Sequence, residues 1–304
     1  MDSMIDVADE VQDALAERRP VVALESTIFS TLGLPSPANR DALFRSLTAV
    51  RAGGAVPAVT AVLDGRLRVG LADAEHDRIL GAARKVSERE LPLASAQRWT
   101  YGATTVSASL LLADRAGVRV FATGGIGGVH RGAEVTGDIS ADLDAIGRRT
   151  VITVSAGAKV FLDLGRTLEY LETAGVPVLG WRTDDFPAFY SPTSGHRVPH
   201  RVDSATEVAS VARANWSLNR GGLLVTVPIP SAAAVDSARL ATALDTALAA
   251  AHRQNITGAA VTPYVLGQIA AETGGDAIPA NLALAEHNAA VAAEIAVALA
   301  NPEG

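Results

Sequence analysis

The 304-residue chain contains no cysteine, only two lysines and only 4% aromatic residues. The lack of cysteine excludes disulfides, thiolate metal sites and a cysteine nucleophile, while leaving the redox compartment open. There is no block of basic residues and the formal net charge is -7, which argues against a nucleic-acid polymer as partner. Nor is there an uninterrupted apolar run of about 18 residues that reads as a membrane span. The alanine-rich C-terminal stretch is broken by Glu286, His287, Asn288 and Glu294. The opening segment, MDSMIDVADEVQDALAERR, is acidic and amphipathic and lacks the apolar centre of a secretory signal. A cytoplasmic protein without membrane contact is the expectation. With 48% hydrophobic residues and no composition break or internal repeat, a single domain over 1–304 is expected.

The scarcity of lysine is itself informative. Of 26 basic residues only Lys85 and Lys159 are lysine, so this chain writes its surface charge as arginine. Arginine stays protonated, whereas a desolvated lysine amine can lose its proton and attack a carbonyl-type carbon. The two lysines are therefore candidates for chemistry rather than for solubility. Lys159 closes the densest stretch of the chain, residues 118–159, in which a β-branched run breaks at Thr123 into Gly124, Gly125, Gly127 and Gly128, followed by His130 and Arg131. A strand feeding a glycine loop lets backbone amides approach an anion closely, so a phosphate cradle is one reading and a tight surface turn is the other. Asp138, Ser140 and Asp142 follow the loop. Two carboxylates four residues apart offer hard oxygen ligands for Mn²⁺ or Mg²⁺, and equally suit the first turn of a helix.

Strand and helix patterns alternate along the chain. Residues 4–18 show helical spacing, PVVALE ends a strand on Glu25, and a helix is expected over about 40–51. Two strands around the Asp-Gly pair at 64–65 read as a hairpin. Helices are expected from about Ala72 to Arg84, ending at Lys85, and over YGATTVSASLLLADRAG, with Thr104, Thr105 and Ser107 in its first turns. From Val118 come strand, glycine loop, helix (about 140–148), strand (150–155), helix (158–173) and the strand VPVLGW. The stretch TDDFPAFYSPTSGHRVPHR reads as a long functional loop, a lid or an oligomer contact, with His196 and His200 as surface histidines. Ser204 and Glu207 form a capping box, GGLLVTVPIP is a strand, and alanine-rich helices near 232–252, 262–273 and 279–299 complete the chain. Alternation of this kind implies a mostly parallel sheet covered on both faces. Taken on residue types alone, the chain is a phosphate-binding α/β enzyme with a reactive lysine.

The chain also resembles a known family along nearly its whole length, through ALEST, KVSERELP, ATGGIGGVHRGAE, DISADL, SAGAK, DLGRTLEYLET, GVPVLGW, FPAFY, PIP, TPYVLGQIAAETGG and ANLALAEHN. The resemblance is to the pseudouridine-5'-phosphate glycosidase family, also called indigoidine synthase A-like. It implies a three-layer α/β/α fold and a homotrimer. It implies reversible cleavage of pseudouridine 5'-phosphate to uracil and ribose 5-phosphate with a divalent metal, usually manganese. By that similarity Lys159 is the nucleophile that holds the sugar as an imine and Glu25 the general acid and base. Lys85, Thr105, His130, Asp142 and Asn281 would then contact substrate, Thr123 and Ser140 would contact phosphate, and Asp138 would bind the metal. Three positions depart from the family pattern, Leu32 (with Ser36 nearby), Val227 and His287, and all three are expected at the nucleobase pocket. Two other readings stay open: a related C-glycosynthase that joins ribose 5-phosphate to another aromatic acceptor, and a non-catalytic phosphosugar-binding protein.

Overall fold

The computed structural model describes residues 4–301, apart from 219, 255, 257–260 and 274. The β-branched runs form β1 (Ile5–Val7), β2 (Val21–Leu24), β3 (Val56–Leu63), β4 (Arg66–Val69), β5 (Arg84–Val86), β6 (Tyr101–Thr104) and β7 (Val120–Ala122). They are followed by β8 (Val129–His130), β9 (Ile152–Ser155), β10 (Leu162–Asp163), β11 (Val178–Trp181), β12 (His200–Val202) and β13 (Leu223–Thr226). The main sheet runs β1-β4-β3-β2-β7-β9-β13-β11-β12, with β6 and β5 beside β3, while β8 and β10 make a separate antiparallel ribbon. From β3 across to β12 all neighbours in that order are parallel.

Alternation within single strands shows why the sheet is covered twice. In β2, Val21 and Ala23 belong to one core and Val22 and Leu24 to the other. Strands buried on both faces read as near-continuous apolar runs, as β2 and residues 223–225 of β13 do, while β9 also buries Thr153 and Ser155. One face carries the helices Asp9–Ala16, Val106–Ala116, Ala141–Arg148 and Leu164–Thr173. The opposite face carries Ala38–Ala52 and Ala205–Ser217 with Ala277–Ala300 between them. The architecture is thus the three-layer α/β/α arrangement with a mostly parallel central sheet. The helix Ala277–Ala300 is long and apolar enough to cross a bilayer, but Ala289, Val291, Ala292, Ala293, Ile295 and Ala296 are buried in the core.

The hairpin is as expected. Asp64 and Gly65 both take positive φ, which matches the right-handed twist of β3 and β4. Four local expectations are corrected. Ile5–Val7 is an edge strand on β4 rather than the first turn of a helix. The segment before Lys85 is a 3₁₀ helix, Asp73–Ile79, and Lys85 lies in β5. Tyr101–Thr104 is a strand on β3 and β5, so the helix starts only at Val106. The helix after β9 starts at Leu164, because Gly157 at φ +75 and the Ile126–Ala158 bridge hold the intervening chain extended. In each case a partner distant in sequence overrides the local pattern.

The sheet splits at the end of β2, and this split creates the site. β2 stops at Leu24 against Val59, while β3 runs on and is met by β6. Thr104, the last residue of β6, is tied to Ser26 and Thr60 by hydroxyl contacts of 3.1 and 2.9 Å. Glu25 is therefore turned out of the sheet at a fixed point. Carboxyl ends of adjacent strands at such a split are where open α/β sheets place ligands.

Candidate active site

A cavity of about 530 Å³ lies beyond the carboxyl ends of β2, β5, β7 and β9. Its volume is in the range of small-ligand sites. Its lining is polar and charged at Lys85, Thr105, His130, Asp138, Ser140, Asp142, Lys159 and Asn281, and apolar at Ile28, Leu32, Phe189 and Leu266. Both lysines of the chain and Glu25 reach this one space.

Lys159 arrives from the turn after β9, and its Nζ donates to the Gly125 carbonyl at 2.6 Å. That aims the amine across the glycine loop. Glu25 is buried, with 8% of its surface exposed, and Thr123 donates its hydroxyl to Oε1. Burial pushes the Glu25 carboxyl above the usual carboxylate range, although the charge of Lys159 and the Thr123 bond pull the other way. The Lys85 amine is pushed down, first by burial and then by the charge of Lys159. His130 is also held low, chiefly by burial, while the Asp138 carboxylate opposes the shift. A carboxyl raised and an amine lowered in one cavity favour their neutral forms together, the arrangement that proton transfer near neutral pH requires.

The glycine loop does not act as a free anion cradle throughout. Its Gly127 amide donates to Asp142 Oδ2 at 2.9 Å, and Ile126 donates to the Gly157 carbonyl at 3.1 Å. Asp142 also accepts from the Ser107 amide at 3.0 Å, so one buried carboxylate fastens the loop to the start of the helix Val106–Ala116. Each Asp142 oxygen thus accepts one backbone amide, while the carboxylate still lines the cavity together with Asp138. Ser140 caps Ala141–Arg148 by accepting from the Asp142 amide at 3.2 Å, which leaves its hydroxyl proton available to the cavity. Thr105 lines the cavity without capping its helix through its side chain.

Thr123 is placed differently from the expectation. Its hydroxyl serves Glu25, its amide donates to Val154 and its carbonyl accepts from Asn288, and it is not among the residues of the cavity wall. Asn281 does line the cavity and donates to the Tyr190 hydroxyl at 2.6 Å. Of the three departures from the family pattern only Leu32 lines the cavity; Val227 is buried in the core and His287 is half-buried elsewhere. The long segment after β11 contributes Phe189 to the cavity lining. Phe186, Phe189 and Tyr190 are buried, and Phe189 lies against the glycine loop. His196 and His200 are exposed and away from the cavity. Reading by motif missed Phe161, Phe189 and Asn288, although FPAFY and ANLALAEHN carried two of them.

A divalent cation would find Asp138, 40% exposed, with His130 Nδ1 3.9 Å from its Oδ2. Among the described residues no group of three or more potential ligands converges. One carboxylate fits a largely hydrated Mg²⁺ or Mn²⁺ rather than a caged ion.

Two amines and a raised carboxyl gathered in one cavity, at the carboxyl ends of a mostly parallel sheet, define an open α/β protein with its titratable groups collected at the strand ends. The chain belongs to the family described as indigoidine synthase A like protein, whose profile matches residues 10–298. It is 51% identical to the pseudouridine-5'-phosphate glycosidase of Solibacter usitatus over 294 residues, covering 95% of this chain and 97% of that protein. It is 48% identical to the protein of the same name from Caldanaerobacter subterraneus, with 98% of each chain covered. Among solved structures it is similar to the prealnumycin C-glycosynthase AlnA in complex with ribulose 5-phosphate, at 42% identity and a TM-score of 0.90, covering 99% of this chain and 98% of that one. An indigoidine synthase A-like protein from Thermotoga maritima superposes with a TM-score of 0.88 at 33% identity, with 99% of each chain covered.

Proposed function

We propose that this protein reversibly cleaves the carbon–carbon glycosidic bond of pseudouridine 5'-phosphate, giving uracil and ribose 5-phosphate. The observation that carries the reading is the convergence of Lys159, Lys85 and Glu25 on one cavity in a chain 45–51% identical to relatives bearing that enzyme name. A C-glycoside has no nitrogen or oxygen leaving atom to protonate, so the bond needs an electron sink. In the proposed sequence the Lys159 amine bonds to C1' as the ring C1'–O4' bond breaks, and O4' takes its proton from Glu25. Glu25, now a carboxylate, takes the proton that the newly bonded nitrogen sheds; the C1'–C5 bond then breaks, its electron pair passing to the pyrimidine, and Glu25 delivers that proton to C5. The nitrogen lone pair forms the imine on C1', and water releases ribose 5-phosphate from Lys159. The raised pKa of Glu25 suits it to hold that proton, and the reverse direction uses the same groups.

Lys85, His130, Ser140 and Thr105 are assigned to the sugar and its phosphate, and Asn281 to a polar edge of the base. Asp138 would hold a hydrated Mn²⁺ or Mg²⁺, which would supply positive charge beside the phosphate. We further assign a single catalytic domain over 1–304, a homotrimer and a cytoplasmic setting. A second reading, a C-glycosynthase acting on another aromatic acceptor, is favoured by one observation, the apolar Leu32 in the cavity lining at a position that departs from the family pattern. Formation of pseudouridine 5'-phosphate from uracil and ribose 5-phosphate with Mn²⁺ tests the first reading. Failure to form it, together with a trapped ribose 5-phosphate adduct, would favour the second.

A further inference from the structure

We propose that Thr123 and Asn288 are positioning residues that hold Glu25 in its working place, Asn288 acting through Thr123 and Thr123 through its hydroxyl. Every polar group of Thr123 is engaged within the protein. Its amide donates to the Val154 carbonyl at 3.0 Å, its hydroxyl donates to Glu25 Oε1, and its carbonyl accepts from Asn288 Nδ2 at 2.8 Å. Asn288 also donates to the Gly124 carbonyl at 3.2 Å, so the amide faces two acceptors and its orientation is fixed. The residue is 1% exposed, and its Oδ1 has no partner among the described residues. A buried amide with half of its capacity unmet is costly where an apolar side chain would fill the same space, and such groups call for an explanation. The explanation is the pair of carbonyls at the end of β7. There the chain leaves the sheet: the Gly124 carbonyl still takes the Ala156 amide at 3.0 Å, just past the end of β9, but the Thr123 carbonyl has no backbone donor among the described residues. The helix Ala277–Ala300 supplies that donor through Asn288, which reaches Gly124 as a second one. It thereby fixes the threonine whose hydroxyl orients the Glu25 carboxyl against the adjoining strand end.

This inference deepens the proposed function, since it rests on Glu25 being the proton-handling group there. Its test is built to separate the two. Glu25 is titrated by ¹³C NMR in glutamate-labelled protein, assigned with Glu25→Gln, in wild type, Thr123→Val and Thr123→Ser. Valine keeps the shape and removes the donor. The Glu25 titration should move to higher pH in Thr123→Val and return to the wild-type position in Thr123→Ser, because a hydrogen bond to the carboxylate favours its charged form. In turnover, Thr123→Val should lose about tenfold or more in kcat with KM for the phosphosugar nearly unchanged, and the limb of the pH profile that follows Glu25 should move with the NMR titration. Asn288→Leu should lower kcat in the same way. An unmoved Glu25 titration in Thr123→Val would overturn the proposal, as would a raised KM with intact kcat, the mark of a substrate contact. If wild type forms no pseudouridine 5'-phosphate, the functional reading fails and the NMR titration still decides the positioning. If Asn288→Leu does not fold, the isosteric Thr123 variants carry the test.

Discussion

Gly125→Ala should disable the site through geometry alone, because Gly125 supplies the carbonyl that holds Lys159. A Cβ at this position would lie 2.5 Å from Phe189 Cδ2 and 2.7 Å from Cε2. Comfortable carbon contacts need about 3.5–4.0 Å, so one partner must retreat by roughly 1 Å. Phe189 has little room to do so. It is buried, sits at φ +59, donates its amide to the Ala156 carbonyl at 3.0 Å and packs against Tyr190 with the rings tilted by 60° and 4.6 Å between centroids. The loop must then yield, and the Gly125 carbonyl carries the Lys159 amine with it. Overpacking of this kind costs about 1–3 kcal/mol, and a misplacement near 1 Å at a reacting group costs about a hundredfold in rate. Urea unfolding should show the first effect and single-turnover trapping of ribose 5-phosphate the second. Phe189→Leu in the same chain should recover part of both. An unchanged midpoint together with a wild-type trapping rate would refute the reasoning.

Other expectations follow from single groups. Asp142→Ala strands the Gly127 and Ser107 amides and should destabilise by about 3 kcal/mol in denaturant unfolding, with Asp142→Asn costing less because it keeps one acceptor. Glu25 has a folded pKa raised above its ordinary 4.5, so ionising it costs stability as pH climbs from 4.5 through the raised value. Glu25→Gln should therefore melt higher than wild type at alkaline pH, with the gap closing toward pH 4.5 in scanning calorimetry. Asp138→Asn should weaken the response of turnover to added Mn²⁺ while leaving the thermal midpoint within about 1 °C, since that carboxylate is half exposed and secures no buried amide.

What could be read from the sequence was local. The Asp64–Gly65 turn and the Ser204 cap with its Glu207 partner each depend on residues within a few positions, and the structure has both. The site residues were nameable because the glycine loop, Glu25 and the rare lysines stand out by type. Long-range pairing was not visible. Tyr101–Thr104 looks helical until β3 is there to pair with it, and Ile5–Val7 becomes a strand only against β4. For the same reason the roles of Asp142, Thr123 and Asn288 could not be read in advance. Each is set by a hydrogen bond to a group from 15 to 165 residues away. A motif says which groups a site contains, but not which of them the protein spends on its own backbone.

The central claim is that Lys159 forms an imine with the sugar. Borohydride reduction in the presence of ribose 5-phosphate, followed by peptide mapping by mass spectrometry, tests it most directly. The account requires one reduced phosphopentose adduct on Lys159, absent from Lys159→Ala. An adduct on Lys85 instead, or none in a folded wild-type protein, would contradict it.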